Sequence, residues 1–397
     1  MESPKLALIP SGYKSGKVYS ILPTDGVGDF DFSRNAPATR VDSDGLIETV
    51  TNDVPRLDWL NSDCPSLLLE PQRTNDFTYS EEFNQSVWFK SNSTITTNEI
   101  ISPNGTLTAD LLTSNASGGG VFRFSGWSTT QKTISIFVKK NSSSTAEIFN
   151  ASSGTNRVVF NLDNGTITTQ GGSMTGQIEN FGSGWFRISA THTGTGSQTF
   201  GLKPQTNLSL FIWGAQSESA AYPTTYIKTT SGLITRQKDF IDGAGSSSLF
   251  NSLESTFFVE MASFLNAQTN SNGIELTDIS GQNRITIQYD TVNNQIRGSV
   301  IVLNSTQAIA ATQSFDVTNF NKMAITYKLN EVKFYVNGQL ISTGTNVNLF
   351  APNTLTEVRS TIAGISGGAF NLQAKIKDLR VYDRVLTQAE AIQLTTL

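Results

Sequence analysis

Lys322 to Thr343 reads KMAITYKLNEVKFYVNGQLIST, three short runs rich in β-branched and aromatic residues, separated by Leu329-Asn330 and by Asn337-Gly338. Asn-Gly tolerates the positive φ angles of a tight hairpin turn, so the stretch predicts a three-stranded antiparallel meander. The same grammar governs NRVVFNLDNGTITT, Asn156 to Thr169, where two strand-like runs flank Asp163, Asn164 and Gly165 and predict a β-hairpin. Working outward, turn signals recur every eight to twelve residues or so, the pattern of β-sandwiches or barrels rather than of a parallel α/β sheet. No fixed repeat of about twenty to thirty residues is visible, which argues against a β-helix. Helical spacing appears only in LTQAEAIQL, Leu386 to Leu394, where Thr387 as N-cap and Glu390 three residues later predict one short helix.

The chain has 397 residues, more than one hydrophobic core organises, so two or three domains are expected. Hydrophobic residues make up 37% and charged residues only 15%, which predicts a normal core under a polar, weakly charged surface. With 28 basic against 33 acidic residues the net charge is −5, and no run of Lys or Arg supplies the footprint of a nucleic-acid binder. A single cysteine, Cys64, excludes an internal disulfide and fits synthesis in a reducing cytoplasm. The apolar run near the N-terminus is too short for a signal peptide core, and no stretch reaches the length of a membrane span, so no membrane insertion is expected. Asn-x-Ser/Thr triplets such as Asn104 to Thr106 therefore read as turns.

Two stretches frame the functional reading: RNAPATRVDSDGLIETVTNDVPRLDW, Arg34 to Trp59, and CPSLLLEPQRTNDFTYSEEFNQSVW, Cys64 to Trp88. Together with LALIPSGYKSGKVYSILPTDGVGDFDFS, Leu6 to Ser33, they resemble the N-terminal signature of head spike or fibre proteins of tailed bacteriophages. The segment around 75 to 240, with KTISIFVKK, GSGWFRISAT and LFIWGAQSESAAYPTTYIKTTSGLITRQKD, resembles carbohydrate-binding-module-like jelly rolls. The last segment, with FFVEMASF and the ending AKIKDLRVYDRVLTQAEAIQL, resembles concanavalin-like or laminin-G-like sandwiches. These resemblances imply a mainly β protein: an N-terminal anchoring and oligomerising segment over 1–74, then two antiparallel jelly-roll sandwiches over 75–240 and 253–397. Boundaries are expected near Arg73 to Asn75 and, as the better linker, at Asp242 to Ser252. They further imply a structural virion protein, partnered by other virion proteins and by itself as a homotrimer, displaying sandwiches for weak multivalent contact with host-surface glycan.

Catalytic chemistry has little material, and no catalytic residue, metal site or cofactor is expected. The only histidine, His192, reads as a solvated residue where a strand enters a Gly/Ser/Thr loop, and Cys64 as a small packed thiol. Adjacent Glu81 and Glu82 point to opposite faces of a strand, and Asp29 and Asp31 lie in a turn-rich stretch, so neither pair resembles a glycosidase's two carboxylates. Asp42, Asp44, Asp163 and Asp278 read as turn caps. A short polysaccharide depolymerase is the alternative reading, and a host-encoded surface lectin the third.

Binding residues are easier to nominate. Sugars are recognised by aromatic faces rimmed with hydrogen-bonding groups, and Trp127, after a glycine and before a Ser/Thr turn, is the candidate stacking residue; the competing reading packs it against the sandwich edge. Trp185 and Trp213 lie within strand-like runs and are assigned to the core, and Trp59 and Trp88 to the structure of the first block. Arg34, Arg40, Arg56 and Arg73, spaced among Asp42, Asp44, Asp53 and Asp58, are candidates for anchoring to the virion or to a neighbouring subunit; the plainer alternative is a set of turn-associated surface ion pairs.

Overall fold

The computed structural model describes residues 2–125, 131–151, 153, 155–194, 198–267, 272–345, 347–362 and 370–397. The strands pair antiparallel throughout, and among the described residues the one helix is Gln388–Thr395. Thr387 caps it, its hydroxyl accepting from the Glu390 N–H while the Glu390 carboxylate accepts from the Thr387 N–H. The expected hairpin is present as Arg157–Asn161 paired with Thr166–Gly171, with Gly165 at φ 68° in its turn. The meander is present as Asn321–Lys328, Glu331–Val336 and Gln339–Thr345, with Asn330, Asn337 and Gly338 all at positive φ.

One sandwich is contiguous in sequence. Its first sheet runs Phe89–Ser91, Gly120–Ser125, Gln198–Pro204, Thr145–Asn150, Arg157–Asn161, Thr166–Gly171. The second runs Ser93–Ile101, Leu107–Ser114, Ser209–Glu218, Gln131–Lys140, Trp185–Thr193, Met174–Asn180. Alternation in Thr145–Asn150 and Arg157–Asn161 turns Ile148, Val158 and Phe160 inward, where they meet Leu112, Val138 and Ile188. Trp185 and Trp213 are buried as expected, but on the far side of the second sheet, with Phe137 and Tyr226. The hairpin Ala38–Val41 and Ile47–Val50 from the N-terminal segment closes that side with Val41 and Ile47.

The other sandwich is composite, which corrects the expected separate segment over 1–74. Its larger sheet runs Gln339–Thr345, Glu331–Val336, Asn321–Lys328, Ser255–Ser263, Ala374–Tyr382, Ser66–Leu69, Leu57–Asp58. The strand Leu6–Leu8 also pairs with Ala374–Tyr382, beside Leu379 to Val381, while Ser66–Leu69 takes Ala374 to Ile376. Two N-terminal strands thus share one edge of a C-terminal strand. The facing five-stranded sheet closes a core in which Leu6, Leu8, Leu67 and Leu69 are fully buried beside Phe257, Ile287 and Leu379. Burying each such leucine is worth about 1.5–3 kcal/mol as an upper figure. The N-terminal segment is therefore part of this core.

The contiguous sandwich is inserted into the composite one. Arg73–Asn75, leading into it, pairs with Ile234–Arg236, leading out, and forms a two-stranded neck. The expected linker at Asp242 to Ser252 is packed rather than free, because Phe240–Asp242 pairs with Phe30–Ser33, Ala244 bridges Val358, and Phe250 is buried.

Candidate glycan-binding face and interlobe cleft

The outer face of the first sheet of the inserted sandwich carries a row of phenylalanines. Val121 points to the core, so Phe122 and Phe124 point out, and the register sets Phe89 directly beside Phe122. Two strands further, Phe149 faces the same way, and Gly201 sits opposite both Phe122 and Phe149 in their ladders. Without a side chain at Gly201, the two rings meet over its backbone at 5.2 Å in an edge-on contact. A Cβ there would lie 2.5 Å from the Phe149 ring and 3.0 Å from the Phe122 ring. Phe89 stands 6.2 Å from Phe122, and Phe89 and Phe124 remain 65% and 64% exposed. At about 4.8 Å between strands, the row extends roughly 14 Å.

Charged groups rim this row. The Lys203 ammonium lies 4.6 Å from the Phe149 ring centre and 3.0 Å from the Glu147 carboxylate, and Arg157 pairs with Phe149 across the ladder. An apolar platform edged by donors and acceptors is the surface chemistry that holds the C–H face of a pyranose. Trp127, the expected stacking residue, lies outside the described residues. Phe122 and Phe124, just ahead of it, were overlooked, although the alternation in Val121-Phe-Arg-Phe124 was a signal that two rings leave the core together.

Between the lobes lies a cleft of about 490 Å³. Phe181 and Glu179 come from the inserted sandwich, Arg40 and Asp58 from the N-terminal segment, and Phe264, Phe320 and Lys375 from the C-terminal part. Asp58 accepts from the Val41 N–H at 2.9 Å and holds the Lys375 ammonium at 3.5 Å. Burial alone would lower the Lys375 pKa, but Asp58, Glu179 and Glu70 outweigh it and hold it raised. The Glu179 carboxyl is pushed up, first by the desolvating surroundings of the cleft and then by Asp58, against Lys375 and Arg187.

The four candidate arginines divide into two kinds. Arg34 and Arg56 are wholly buried, and for them the anchoring expectation is corrected, because their partners lie inside the chain. Arg34 donates to Asp239 at 3.1 Å and to the carbonyl oxygens of Ala36, Thr51 and Val54. Arg56 donates to Glu70 at 2.6 Å and to Asp239, and Arg236 lies 3.1 Å from Glu70. Burial alone would raise the Glu70 carboxyl, but Arg236 and Arg56, with the Thr225 hydroxyl, hold it far below the usual carboxylate range. This network sits at the neck and joins the N-terminal segment to the chain leaving the insert. Arg40 and Arg73 are half-buried: Arg40 donates to Glu48 at 2.6 Å and to the Tyr13 hydroxyl, and Arg73 lies over Tyr222.

Two further expectations change. His192 is buried in a strand rather than solvated in a turn: its Nε2 accepts from Asn156 Nδ2 at 3.1 Å and lies 2.9 Å from Ser173 Oγ, and burial lowers its pKa. Cys64 is exposed rather than packed. Of the four turn aspartates, two cap as expected: Asp42 accepts from the Asp44 and Leu46 N–H groups and Asp278 from that of Gln282, whereas the Asp163 carboxylate takes the Lys140 ammonium instead. Among the described residues no group of three or more His, Cys, Asp or Glu side chains is placed to hold a metal ion.

Residues 256–392 match a family described as the Concanavalin A-like lectin/glucanases superfamily, in line with the resemblance of the last segment. No curated protein matches the chain. Among solved structures, a CBM40 of the Ruminococcus gnavus IT-sialidase bound to alpha2,3 sialyllactose is similar at 12% identity and a TM-score of 0.32, over 39% of this chain and 93% of that one. A heptameric SAP-like pentraxin from Limulus polyphemus is similar at 15% identity and a TM-score of 0.30, over 36% and 70%. The botulinum neurotoxin serotype D binding domain is similar at 14% and 0.31, over 40% of each. At these scores the structural likenesses carry no weight for function.

Proposed function

We propose that this chain is a non-catalytic structural protein of a tailed-phage particle that displays its inserted sandwich for weak, multivalent adhesion to host-surface glycan. The observation that carries the binding part is the row Phe89, Phe122, Phe124 and Phe149, an exposed aromatic platform rimmed by Lys203, Glu147 and Arg157. The lectin-superfamily match over 256–392 lies on the composite lobe, so it supports glycan binding by the chain at large and not this row in particular. The virion part is supported by the resemblance of the first quarter of the chain to head spike and fibre proteins, which also supports homotrimers and contact with other virion proteins. With Arg34 and Arg56 turned inward, attachment falls to exposed apolar side chains of the same segment, such as Ile9, Ile21 and Val27. Single sites of this kind bind weakly, and many copies on one particle raise the effective concentration.

Pull-down on host polysaccharide tests the binding part: the full chain is retained, Phe124→Ala is not, and no reducing sugar is released. Retention of Phe124→Ala and of Phe89→Ala at wild-type level refutes the platform. Mass spectrometry of purified particles tests the virion part, with absence of the chain counting against it, and light scattering of the purified protein distinguishes a trimer from a monomer.

A further inference from the structure

The interlobe cleft is not used by the reading above, yet its walls have the composition of a ligand site. Its volume of about 490 Å³ lies inside the range usual for small-molecule pockets, about 300–1,000 Å³. Three half-buried rings line it, each held by a neighbouring group. Phe264 stacks on Tyr222 at 5.5 Å and 13°, Phe181 stands edge-on to Phe137 at 4.9 Å, and Phe320 carries the Lys377 ammonium 4.2 Å from its centre. Rings fixed in this way offer apolar contact without an ordering cost at binding.

The polar groups between the rings select the ligand further. Three acids, Asp58, Glu70 and Glu179, face three bases, Arg40, Arg187 and Lys375, so the wall has no net charge to attract an ion. Glu70 is held by Arg56 and Arg236, Asp58 by Lys375, and Arg40 takes Glu48. Arg187 is committed to the Thr224 carbonyl and the Ser135 hydroxyl. Glu179 is exposed to the cleft and is in none of these ion pairs, and Gln177, exposed on the same strand, lies two residues before it. A carboxylate accepts two hydroxyl protons at once, and a primary amide both donates and accepts. Rings alternating with such groups, without net charge, match a polyhydroxylated ring whose faces are C–H and whose edge is O–H.

We propose that the cleft is a second binding site, distinct from the phenylalanine row, for a short uncharged saccharide, with Glu179 as the acceptor of its hydroxyl groups. The proposal rests on the glycan-binding reading and adds a site built jointly by the N-terminal segment, the insert and the C-terminal part. Such a site exists only when both lobes are in place.

Saturation-transfer NMR on the full chain tests it, with the methyl glycosides of glucose, galactose, mannose and N-acetylglucosamine as separate probes and methyl glucuronide as the charged comparison. At least one uncharged glycoside is expected to bind. Glu179→Gln, which keeps the shape and removes the charge, is expected to weaken that binding about tenfold. Phe320→Ala is expected to weaken it as well, Phe124→Ala to leave it unchanged, and the glucuronide to bind less well. Unfolding temperatures of all variants confirm that the fold is kept. The cleft proposal is overturned if Glu179→Gln and Phe320→Ala bind as the wild type does, if methyl glucuronide is preferred, or if no methyl glycoside binds. Loss of signal in Phe124→Ala alone would overturn the cleft site while leaving the adhesion reading intact, because binding would then belong to the phenylalanine row.

Discussion

The two sandwiches reach the same architecture by opposite routes. The inserted one takes all twelve strands of its two sheets from a single stretch of chain, and the core between those sheets is built from its own residues, with the N-terminal hairpin covering only the outer side of the second sheet. The composite one borrows Leu6–Leu8, Leu57–Asp58 and Ser66–Leu69 from the far end of the sequence to finish a sheet whose other strands come after residue 254. A lobe whose core depends on distant segments is sensitive to loss of either; a contiguous lobe with a short neck is free to vary its outer face without touching the rest.

The sharpest way to break this comparison is to cut the chain. Removing residues 1–74 strips the edge of Ala374–Tyr382 and takes five buried leucines, Leu6, Leu8, Leu57, Leu67 and Leu69, from the composite core, so the remainder is expected to lose that lobe and aggregate. A fragment covering 75–235 is expected to give a cooperative thermal transition on its own, read by circular dichroism. If the truncated remainder instead melts like the full chain, the composite description is wrong.

A smaller but still large effect is expected at the neck. Arg56→Ala leaves Glu70 and Asp239 buried with less compensation, a change of about 3–5 kcal/mol for breaking a buried pair, measured by denaturant unfolding. Arg40→Ala, which removes a half-buried guanidinium bonded to Glu48 and the Tyr13 hydroxyl, is expected to cost less, about 1–2 kcal/mol.

The lobes should also differ in their response to acid. In the inserted sandwich Asp110 is buried, accepting from the Asn98 and Phe83 N–H groups, and burial pushes it up to about 6. Its folded pKa lies above its unfolded value near 3.8, so its contribution is full below that value and is lost as pH rises through about 6, on the order of 3 kcal/mol. Glu70 at the neck has the opposite sign: its folded pKa is lowered, so its contribution is present above the unfolded value near 4.5 and is lost as pH falls. Asp110→Asn is expected to flatten the stability of the 75–235 fragment between pH 4 and 6, and an unchanged slope would remove Asp110 as its source.

A change on the phenylalanine row separates binding from folding. Gly201→Ala forces the Phe149 and Phe122 rings apart, which is expected to weaken glycan retention several-fold for a stability change of about 1–3 kcal/mol, read by pull-down and melting together.

Sequence reading succeeded where the determinants were local. Asn337-Gly338, Asn164-Gly165 and the Thr387/Glu390 box each fix a backbone conformation within a few residues; the turns and the box are found where expected, although at 164–165 only Gly165 takes the positive φ. It failed where partners were remote. Arg34 meets Asp239 across 205 positions and Arg56 meets the same carboxylate across 183, so their place among nearby aspartates pointed to anchoring residues, with surface pairs as the alternative, and not to a buried network. The insertion was illegible for the same reason, since Arg73–Asn75 and Ile234–Arg236 look like ordinary domain margins until their pairing is seen. Of the candidate site, only the alternation around Phe122 and Phe124 was written in the sequence; their neighbours Phe89 and Phe149 arrive through strand order.

The neck has a mechanical consequence. Both of its strands, Arg73–Asn75 and Ile234–Arg236, join the inserted lobe on one side and the composite lobe on the other. Traction on a surface-held insert therefore loads both crossings at once and passes into Arg236, Glu70 and Asp239, where charges locked together deep under the surface resist being drawn apart.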